Sequence, residues 1–394
     1  MAAVQSTPHG ENILEVESRR DGRIRTLDQL LKACQVDLKV WEVERYTVNK
    51  WEVGAKDPDG EIVVTPLFQV KATLRRKVMK AGQPIVRPID TPKRYQTYTK
   101  PPGRRKAVHT ALILPDPQFG FRRTADGVLH PFHDWRALDV AIQMAYEVKP
   151  SYIICLGDML DLPEWSDKFP RTPEFQQTTQ SAIVAAHWWL RRLREARPGA
   201  AIWLLEGNHD KRLELALVNH LKAAYGLRPA DELELPPSMS IPRLLALHRL
   251  GIHYSDAYPD GEHWLTDRLL CIHGNVTRNR SGATVQAALK DYDVSVIFGH
   301  IHRMEMALRT KYDRKGAYTI GAYSPGCLCR VDGAVPGRKK RQNWQQGVAV
   351  VQFEGREQHV ELVEIRDGKA LFGGKLFEGK DRSEMVQLDT GWSL

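Results

Sequence analysis

The sequence has few cysteines and no long apolar stretch. These two features argue against a secreted protein held by disulfides and against a membrane-spanning protein. It holds 5 cysteines in 394 residues, and no two of them have the spacing of a zinc knuckle. An odd number of cysteines without a disulfide framework favours a reducing cytoplasm over secretion. No apolar run approaches the roughly 20 residues that a membrane-spanning helix needs. The first residues also lack the charged and apolar regions of a signal peptide, so we expect a cytoplasmic protein without a membrane partner.

The composition is that of a packed protein, with 42% hydrophobic and 27% charged residues. The length suits one large domain with an appendage, or two domains. The net charge of +9 is uneven, because residues 1–107 hold 21 Lys and Arg against 13 Asp and Glu, an excess of 8. Such a basic region predicts contact with a polyanion, and a merely solvated basic surface is the alternative.

Two amphipathic runs lie near the N-terminus. The first begins at a capping-box pattern at Thr26 and extends to Cys34, and the second extends from Leu38 to Tyr46. The pair is compatible with a helix-turn-helix or with a small helical cap, and the lack of obvious base-reading residues favours the cap. Alternation from Ile62 to Leu74 predicts a strand. We therefore expect a small, basic α+β region over residues 1–79.

Residues 80–107 are rich in proline, lysine and arginine, with Tyr95 and Tyr98 between the basic residues. This composition predicts an extended linker, and a solvated connector is its commoner use. Basic residues spaced by tyrosines can also hold single-stranded nucleic acid by charge and stacking. A second basic run, Arg338-Lys339-Lys340-Arg341, predicts a hairpin tip that either grips a nucleic-acid backbone or stays solvated.

From His109 onward, predicted strands alternate with helices, and after His302 only strands are predicted. This order indicates an α/β fold with two facing sheets, a β-sandwich core, flanked by helices. We expect the core over residues 108–370 and a C-terminal tail over residues 371–394.

Five short polar segments each follow an apolar run that predicts a buried strand. They are Asp116-Pro117-Gln118, Gly157-Asp158-Met159-Leu160-Asp161, Gly207-Asn208-His209-Asp210, His273-Gly274-Asn275 and Gly299-His300-Ile301-His302. Such positions gather at one edge of an α/β sheet, so we expect the five segments to form one site. Carboxylate, imidazole and amide ligands suit Mn²⁺, Fe²⁺, Zn²⁺ or Ni²⁺ better than an ion that selects thiolates. Asp158 is the candidate bridge between two ions.

The order of these five motifs resembles the calcineurin-like metallophosphoesterase superfamily over about residues 109–365. An N-terminal extension before such a core is similar to enzymes of bacteriophages and prophages, and the motif order resembles that of DNA-repair exonucleases. The resemblance implies a two-sheet core that hydrolyses phosphoesters with two divalent metal ions, Mn²⁺ first among the candidates. A phage origin would place the protein in the host cytoplasm.

The resemblance also implies a role for each matching residue. The first ion would be held by Asp116, Gln118, Asp158 and His302, and the second by Asp158, Asn208, His273 and His300. His209 would face the scissile phosphate and protonate the leaving oxygen, with Asp210 orienting it. Asp161 would support the site or only cap a turn.

Gln118 departs from the superfamily pattern, which usually has histidine at this position. A glutamine oxygen is a neutral and weaker ligand, so the first ion would be held more loosely or be a different ion. The alternative is that Gln118 only hydrogen-bonds beside the ligands.

The metal motifs do not select the phosphoester. The basic N-terminal region favours DNA as the substrate, so the first hypothesis is a Mn²⁺-dependent nuclease. The second is a phosphodiesterase or phosphomonoesterase for nucleotides, cyclic ones included, and the third is a DNA-binding protein with a degenerate core. Members of the superfamily often dimerise, which leaves a homodimer open.

Overall fold

The structure is a computed structural model of the chain that describes residues 4–20, 23–56, 58–77, 107–167, 172–314, 316–336 and 342–392. The chain divides into two compact units, Met1–Pro102 and Gly103–Leu394. The predicted linker, apart from residue 107, and the basic run 338–341 lie outside the described residues.

The first unit is an antiparallel sheet with a helix packed on it. Its elements are β1 (Val4–His9), β2 (Ile13–Ser18), α1 (Leu27–Ala33), β3 (Trp41–Lys56) and β4 (Ile62–Arg76), and the strand order is β1-β2-β4-β3. The predicted capping box is present, because the hydroxyl of Thr26 accepts from the main-chain N–H of Gln29 and the Gln29 side chain accepts from that of Thr26. Leu30 of α1 packs with Val16, Val70 and Leu74 of the sheet.

The second N-terminal helix, predicted over Leu38 to Tyr46, is wrong. Most of that run belongs to β3, which pairs with β4 from Trp41 opposite Arg76 to Lys56 opposite Ile62. β-Branched residues along β3 favour a strand, and the ladder satisfies its backbone where a short isolated helix would be marginal. Within the described part of this unit α1 has no second helix beside it, so a helix-turn-helix is ruled out there.

The second unit alternates strands and helices before it becomes rich in strands. Its strands are β5 (His109–Leu114), β6 (Phe121–Arg123), β7 (Leu129–Pro131), β8 (Tyr152–Cys155), β9 (Ala201–Leu205), β10 (Ile252–Ser255), β11 (Glu262–Thr266), β12 (Leu269–Ile272), β13 (Ser295–Phe298), β14 (Met304–Asp313), β15 (Gly316–Pro325), β16 (Gln346–Glu354), β17 (Glu357–Arg366), β18 (Lys369–Phe372) and β19 (Lys375–Glu378). Its helices are α2 (Trp135–Val148), α3 (Thr179–Ala196), α4 (Lys211–His220), α5 (Ile241–Leu244), α6 (Leu247–Leu250), α7 (Ala283–Asp291) and α8 (Ser383–Thr390). Asp134 caps α2 as its side chain accepts from the N–H of Arg136.

Two large sheets face each other in this unit, as predicted. One has the order β10-β9-β8-β5-β16-β17-β18-β19, and the other has the order β11-β12-β13-β15-β14. Alternate residues of β5 point to opposite faces: Ile113 packs with Ile297 of the second sheet, and Leu112 packs beneath α2 and α3. On the far side, Val285 of α7 covers the second sheet. The fold is therefore a two-sheet α/β core flanked by helices.

The segment expected to be a C-terminal tail is part of this fold. β18 and β19 extend the edge of the eight-stranded sheet, and α8 packs beside α3. The indole N–H of Trp188 donates to Asp389 at 2.8 Å, and that of Trp392 donates to Ser181 at 3.1 Å. The expectation that no helix follows His302 is wrong, because α8 is a helix. Only Val386 of α8 is buried, so the sequence of α8 lacks the pattern of apolar residues that would predict a helix.

His133 lies at the centre of an aromatic cluster in this core. Its ring is 4.6 Å from Phe119, 5.1 Å from Phe121 and 4.5 Å from Trp135, centroid to centroid. Neither ring nitrogen has a hydrogen-bond partner of good geometry among the described residues. Burial lowers the pKa of His133 to about 3, although the nearby backbone of Gly120 opposes the shift. His133 is therefore a neutral core residue, closed off from any substrate.

Replacing His133 with phenylalanine is expected to flatten the loss of stability in acid. The folded chain keeps His133 neutral down to about pH 3, whereas the unfolded chain protonates it near pH 6.5. The unfolded state therefore binds one more proton than the folded state between these pH values. The contribution of His133 to the free energy of unfolding is complete above pH 6.5 and falls by roughly 1.4 kcal/mol per pH unit below it. Urea unfolding at pH 7.5 and pH 5 measures this slope. The exposed His130→Phe is the matched control, and equal slopes in the two variants would contradict the prediction.

Candidate metal centre

The five polar segments lie at the carboxyl ends of parallel strands. Asp116 follows β5, Asp158 follows β8 and Asn208 follows β9, and these three strands are parallel neighbours in the eight-stranded sheet. His273 follows β12 and His300 follows β13, a parallel pair in the other sheet. The two facing sheets thus bring the segments together at one end of the core.

Several of the predicted ligands have left-handed backbone, which residues other than glycine rarely adopt. The φ angles are 41° at Asp116, 47° at Gln118, 49° at Asp158, 67° at His300 and 55° at His302. Such backbone costs on the order of 1 kcal/mol or more at each residue and gathers at functional sites. Three of these residues, Asp116, Asp158 and His302, have ligand atoms that all lie within 4.8 Å of one another.

Asp158 lies at the centre of the site. It belongs to two groups whose ligand atoms all lie within 4.8 Å of one another, one with His273 and His300, the other with Asp116 and His302. Its Oδ1 is 3.4 Å from Nε2 of His273. Burial alone would raise the pKa of Asp158, but His209 and His273 outweigh it and hold that pKa well below the usual range. A charged carboxylate shared by both groups is what a bridging ligand requires.

One group gathers around Asn208. Its Oδ1 is 3.1 Å from Nε2 of His273 and 2.7 Å from Nδ1 of His300. The Nδ1 of His273 donates to the carbonyl oxygen of Leu156 at 2.9 Å, which leaves Nε2 to face the site. Burial lowers the pKa of His300 to about 4, so this imidazole is neutral at pH 7 and can act as a ligand.

The pKa of His273 is shifted in the opposite direction from that of His300. Burial would lower the pKa of His273, but Asp158 raises it to about 9 in the chain without metal. A metal ion at this position would therefore replace a proton on His273.

The other group gathers around Asp116. Both of its carboxylate oxygens are 3.0 Å from the main-chain N of His300, which donates to them, and Oδ1 is 3.4 Å from Nε2 of His302. The other face of His302 is held from behind, with Nδ1 at 3.7 Å from Sγ of Cys329 and the ring against Trp344. Cys329 and Trp344 thus fix the direction of the His302 ring. No sequence motif indicated this role.

Gln118 provides the test of whether a metal ion fits here. Its side chain is 2% exposed, and among the described residues its Oε1 has no hydrogen-bond partner. A buried carbonyl oxygen without a partner costs about 1–3 kcal/mol. Its main-chain N–H donates to the main-chain carbonyl oxygen of Asp158 at 2.9 Å, so the loop that carries Gln118 is paired with the loop that carries Asp158. The orphan oxygen and the surrounding carboxylates and imidazoles fit a divalent ion.

His209 is oriented by Asp161, whereas Asp210 was predicted to do this. The Nδ1 of His209 is 2.7 Å from Oδ1 of Asp161, and its Nε2 is 3.8 Å from Oδ2 of Asp158. The side chain of His209 is 14% exposed, so it borders both the ligands and solvent. This is the position of a group that could exchange a proton with a bound phosphoester.

Asp210 instead ties two loops together. Its carboxylate accepts from the main-chain N–H groups of Gly207 and Leu160, each at 3.0 Å, and of Met159 at 3.2 Å. Burial raises the pKa of Asp210 to about 6, and the charge of Asp158 adds to that shift. Adjacent side chains at a tight turn point in different directions. The ring of His209 therefore contacts Asp161, although Asp210 is its neighbour in the sequence. The close packing of these loops also leaves no room for a side chain at Gly207, where a Cβ would overlap Asp158.

Residues 113–304 match the calcineurin-like phosphoesterase family. The chain contains a calcineurin-like phosphoesterase domain. The resemblance seen in the motifs is thereby confirmed, and the domain is that of a metal-dependent phosphoester hydrolase. No helix in the described part of the chain is long and apolar enough to cross a membrane.

Two phage proteins are similar to this chain. The Gene 54 protein of Mycobacterium phage L5 is 26% identical over 256 residues, which cover 63% of this chain and 94% of the phage protein. The Gene 54 protein of Mycobacterium phage D29 is 25% identical over 258 residues, with the same shares. The link to phage-encoded proteins is therefore confirmed.

Two solved structures have a weak similarity to this chain. Vacuolar protein sorting 29 from Cryptosporidium parvum has a TM-score of 0.30 at 12% identity, covering 69% of this chain and 99% of that chain. Yfce, a phosphoesterase from E. coli, has a TM-score of 0.29 at 10% identity, covering 67% of this chain and 97% of that chain.

Proposed function

We propose that the protein is a nuclease that hydrolyses DNA with two divalent ions, manganese first among the candidates. The observation that carries this proposal is a complete set of candidate metal ligands in a chain that also has a strongly basic stretch. Asp158 would be shared by both ions, with Asp116, Gln118 and His302 on one side. Asn208, His273 and His300 would complete the other side. Bound there, the ions would activate a hydroxide and clamp a phosphate.

The residues around this centre would orient His209, donate a proton and hold the loops in place. Asp161 accepts a hydrogen bond from Nδ1 of His209 and so fixes the ring with Nε2 toward the side of Asp158. From there, Nε2 of His209 would give a proton to the leaving oxygen, and the charge of Asp161 would stabilise the imidazolium before that transfer. Asp210 keeps the two loops that carry Asp158 and His209 in register.

The basic charge lies in a shorter stretch than the whole N-terminal region. Residues 1–77 hold 13 Lys and Arg against 12 Asp and Glu, whereas residues 78–107 hold 8 against 1. Of the excess of 8 up to residue 107, 7 therefore belong to residues 78–107. Tyr95 and Tyr98 lie between these basic residues. Charge with interleaved aromatic residues is the composition that holds a nucleic-acid strand, so this stretch is where we expect DNA to bind.

DNA binding and cleavage by a charge variant tests this proposal. Neutralising Lys93, Arg94, Arg104 and Arg105 to alanine is expected to weaken DNA binding by about 10- to 1,000-fold at 50 mM salt and to flatten its salt dependence. Hydrolysis of bis(p-nitrophenyl) phosphate should stay unchanged. The matched control neutralises Lys32, Lys39, Lys50 and Lys56, which are exposed in the first unit.

Equal effects of the two variants would contradict binding at residues 78–107. If the small ester is cut and DNA is not, the enzyme is a phosphodiesterase or phosphomonoesterase for small nucleotides. A protein that hydrolyses neither substrate would favour the third hypothesis, a DNA-binding protein with a degenerate site. The unpaired oxygen of Gln118 is evidence against that hypothesis, because it is the kind of atom that a metal ion would bind.

A further inference from the structure

Two buried cysteines and His302 form a further cluster of possible metal ligands. His302, Cys327 and Cys329 each offer one ligand atom, and these atoms all lie within 4.8 Å of one another. All three residues are buried, and His302 is the most exposed of them at 4%. The cluster shares His302 with the group around Asp116, but its other two ligands are sulfur atoms. Its chemistry therefore differs from that of the centre built on carboxylates.

The segment after β15 turns both thiols to the same side. Cys327 and Cys329 pack with Phe132 in one buried cluster, whereas Leu328 between them packs in the large core beneath the eight-stranded sheet. The main-chain N–H of Leu328 donates to the carbonyl oxygen of Asp116 at 3.2 Å. This hydrogen bond holds the pair of cysteines beside the loop that carries a ligand of the first ion.

The ring of His302 presents one nitrogen to each cluster. Its Nε2 is 3.4 Å from Oδ1 of Asp116, and its Nδ1 is 3.7 Å from Sγ of Cys329. Tetrahedral Zn²⁺ with ordinary bond lengths places a sulfur and a nitrogen ligand about 3.6 Å apart, so the second separation suits a shared ion. The main-chain carbonyl oxygen of Gln345 is 3.6 Å from Sγ of Cys327 and is a candidate for the fourth ligand.

We propose that Cys327, Cys329 and Nδ1 of His302 bind a divalent ion that selects thiolates, Zn²⁺ first among the candidates. Two thiolates and an imidazole are ligands that Zn²⁺ takes in proteins, whereas Mn²⁺ prefers oxygen and nitrogen and would leave this site empty. Binding of the ion releases the proton of each thiol and frees Nδ1 of its proton. This inference goes beyond the proposed nuclease and does not depend on its substrate.

A purely structural role for the two cysteines would be different. In that case the thiols would only fill the core behind His302, with weak contacts such as the 3.8 Å between Sγ of Cys327 and the carbonyl oxygen of Cys329. The test therefore needs a signal that only a bond between metal and thiolate gives. Co²⁺ provides it, because Co²⁺ bound to thiolate has a charge-transfer band in the near ultraviolet that Co²⁺ bound to carboxylate and imidazole lacks.

The experiment titrates the full-length protein with Co²⁺ in the presence of Mn²⁺ and a phosphine reductant. We expect the charge-transfer band to saturate at one Co²⁺ per chain and to disappear when Zn²⁺ is added. Cys327→Ser and Cys329→Ser should each lose the band. Cys155→Ser, which changes another fully buried thiol, is the matched control and should keep it.

A wild-type protein without the band, or a folded Cys329→Ser variant that keeps it, would overturn the proposal. Circular dichroism reports whether each variant is folded. X-ray absorption at the zinc edge needs no variant: the wild type with Mn²⁺ and one equivalent of Zn²⁺ should show two sulfur ligands, and a shell of only nitrogen and oxygen would contradict the site. A failure of the nuclease proposal would look different, because DNA would remain uncut while the band persisted.

Discussion

Replacing Asp158 with asparagine is expected to lower the hydrolysis of bis(p-nitrophenyl) phosphate by about 1,000-fold or more. Asp158 is the residue common to both groups of candidate ligands, and its surroundings keep it charged. Asparagine has nearly the same shape but no charge, so the substitution removes the bridge while it preserves the packing. A loss of several kcal/mol of transition-state stabilisation corresponds to this factor. The measurement is kcat/KM with added Mn²⁺.

Asp139 offers a matched control for this substitution. It is another buried aspartate, 3% exposed, in α2, and its carboxylate is 2.8 Å from the guanidinium of Arg382. Asp139→Asn is expected to lower the unfolding temperature and to leave kcat/KM of the folded protein within a few-fold of wild type. If Asp158→Asn kept more than a tenth of the wild-type activity, Asp158 would not be the shared ligand.

Replacing His209 with alanine is expected to lower kcat by about 100- to 10,000-fold for esters whose leaving group needs a proton. The loss should be much smaller for p-nitrophenyl esters, because p-nitrophenolate leaves without one. The reason is the position of Nε2, which is 3.8 Å from Asp158 on a ring that Asp161 fixes. The measurement compares kcat for an alkyl ester and a p-nitrophenyl ester of the same phosphate.

Asp161 should act through His209. Asp161→Asn alone is expected to cost about 10- to 100-fold with the alkyl ester. Because the two residues work as a unit, the double variant should be no slower than His209→Ala alone. Fully additive losses would show that Asp161 acts on the reaction by another route.

The sequence was enough to expect that the candidate ligands gather at one place, because each motif is short and directly follows a predicted buried strand. Each of these parallel strands ends directly before a candidate ligand. Asp158 and His300 could therefore be placed near each other without any knowledge of the 141 residues between them. The partners of these ligands were harder to predict. Cys329 behind His302 and Arg212 beside His209 belong to no motif, although Arg212 lies three residues after His209 at a helix start, a spacing that brings side chains together.

Local patterns failed where a distant segment decided the structure. The run from Leu38 to Tyr46 has an amphipathic pattern, but β4, more than twenty residues later, supplies the ladder that makes it a strand. The pairing of His209 with Asp161 likewise depends on two loops that meet only in the folded chain. In the same way, α8 is held by Trp188 of α3 rather than by any strong helical period of its own.

The most direct test of the metal centre is a calorimetric titration of the metal-free protein with Mn²⁺, beside Asp158→Asn and Gln118→Ala. We predict two ions per chain for the wild type, less than one for Asp158→Asn, and weaker binding of one ion for Gln118→Ala. A wild-type protein that binds no Mn²⁺, or an Asp158→Asn variant that binds it as the wild type does, would contradict a two-ion centre bridged by Asp158.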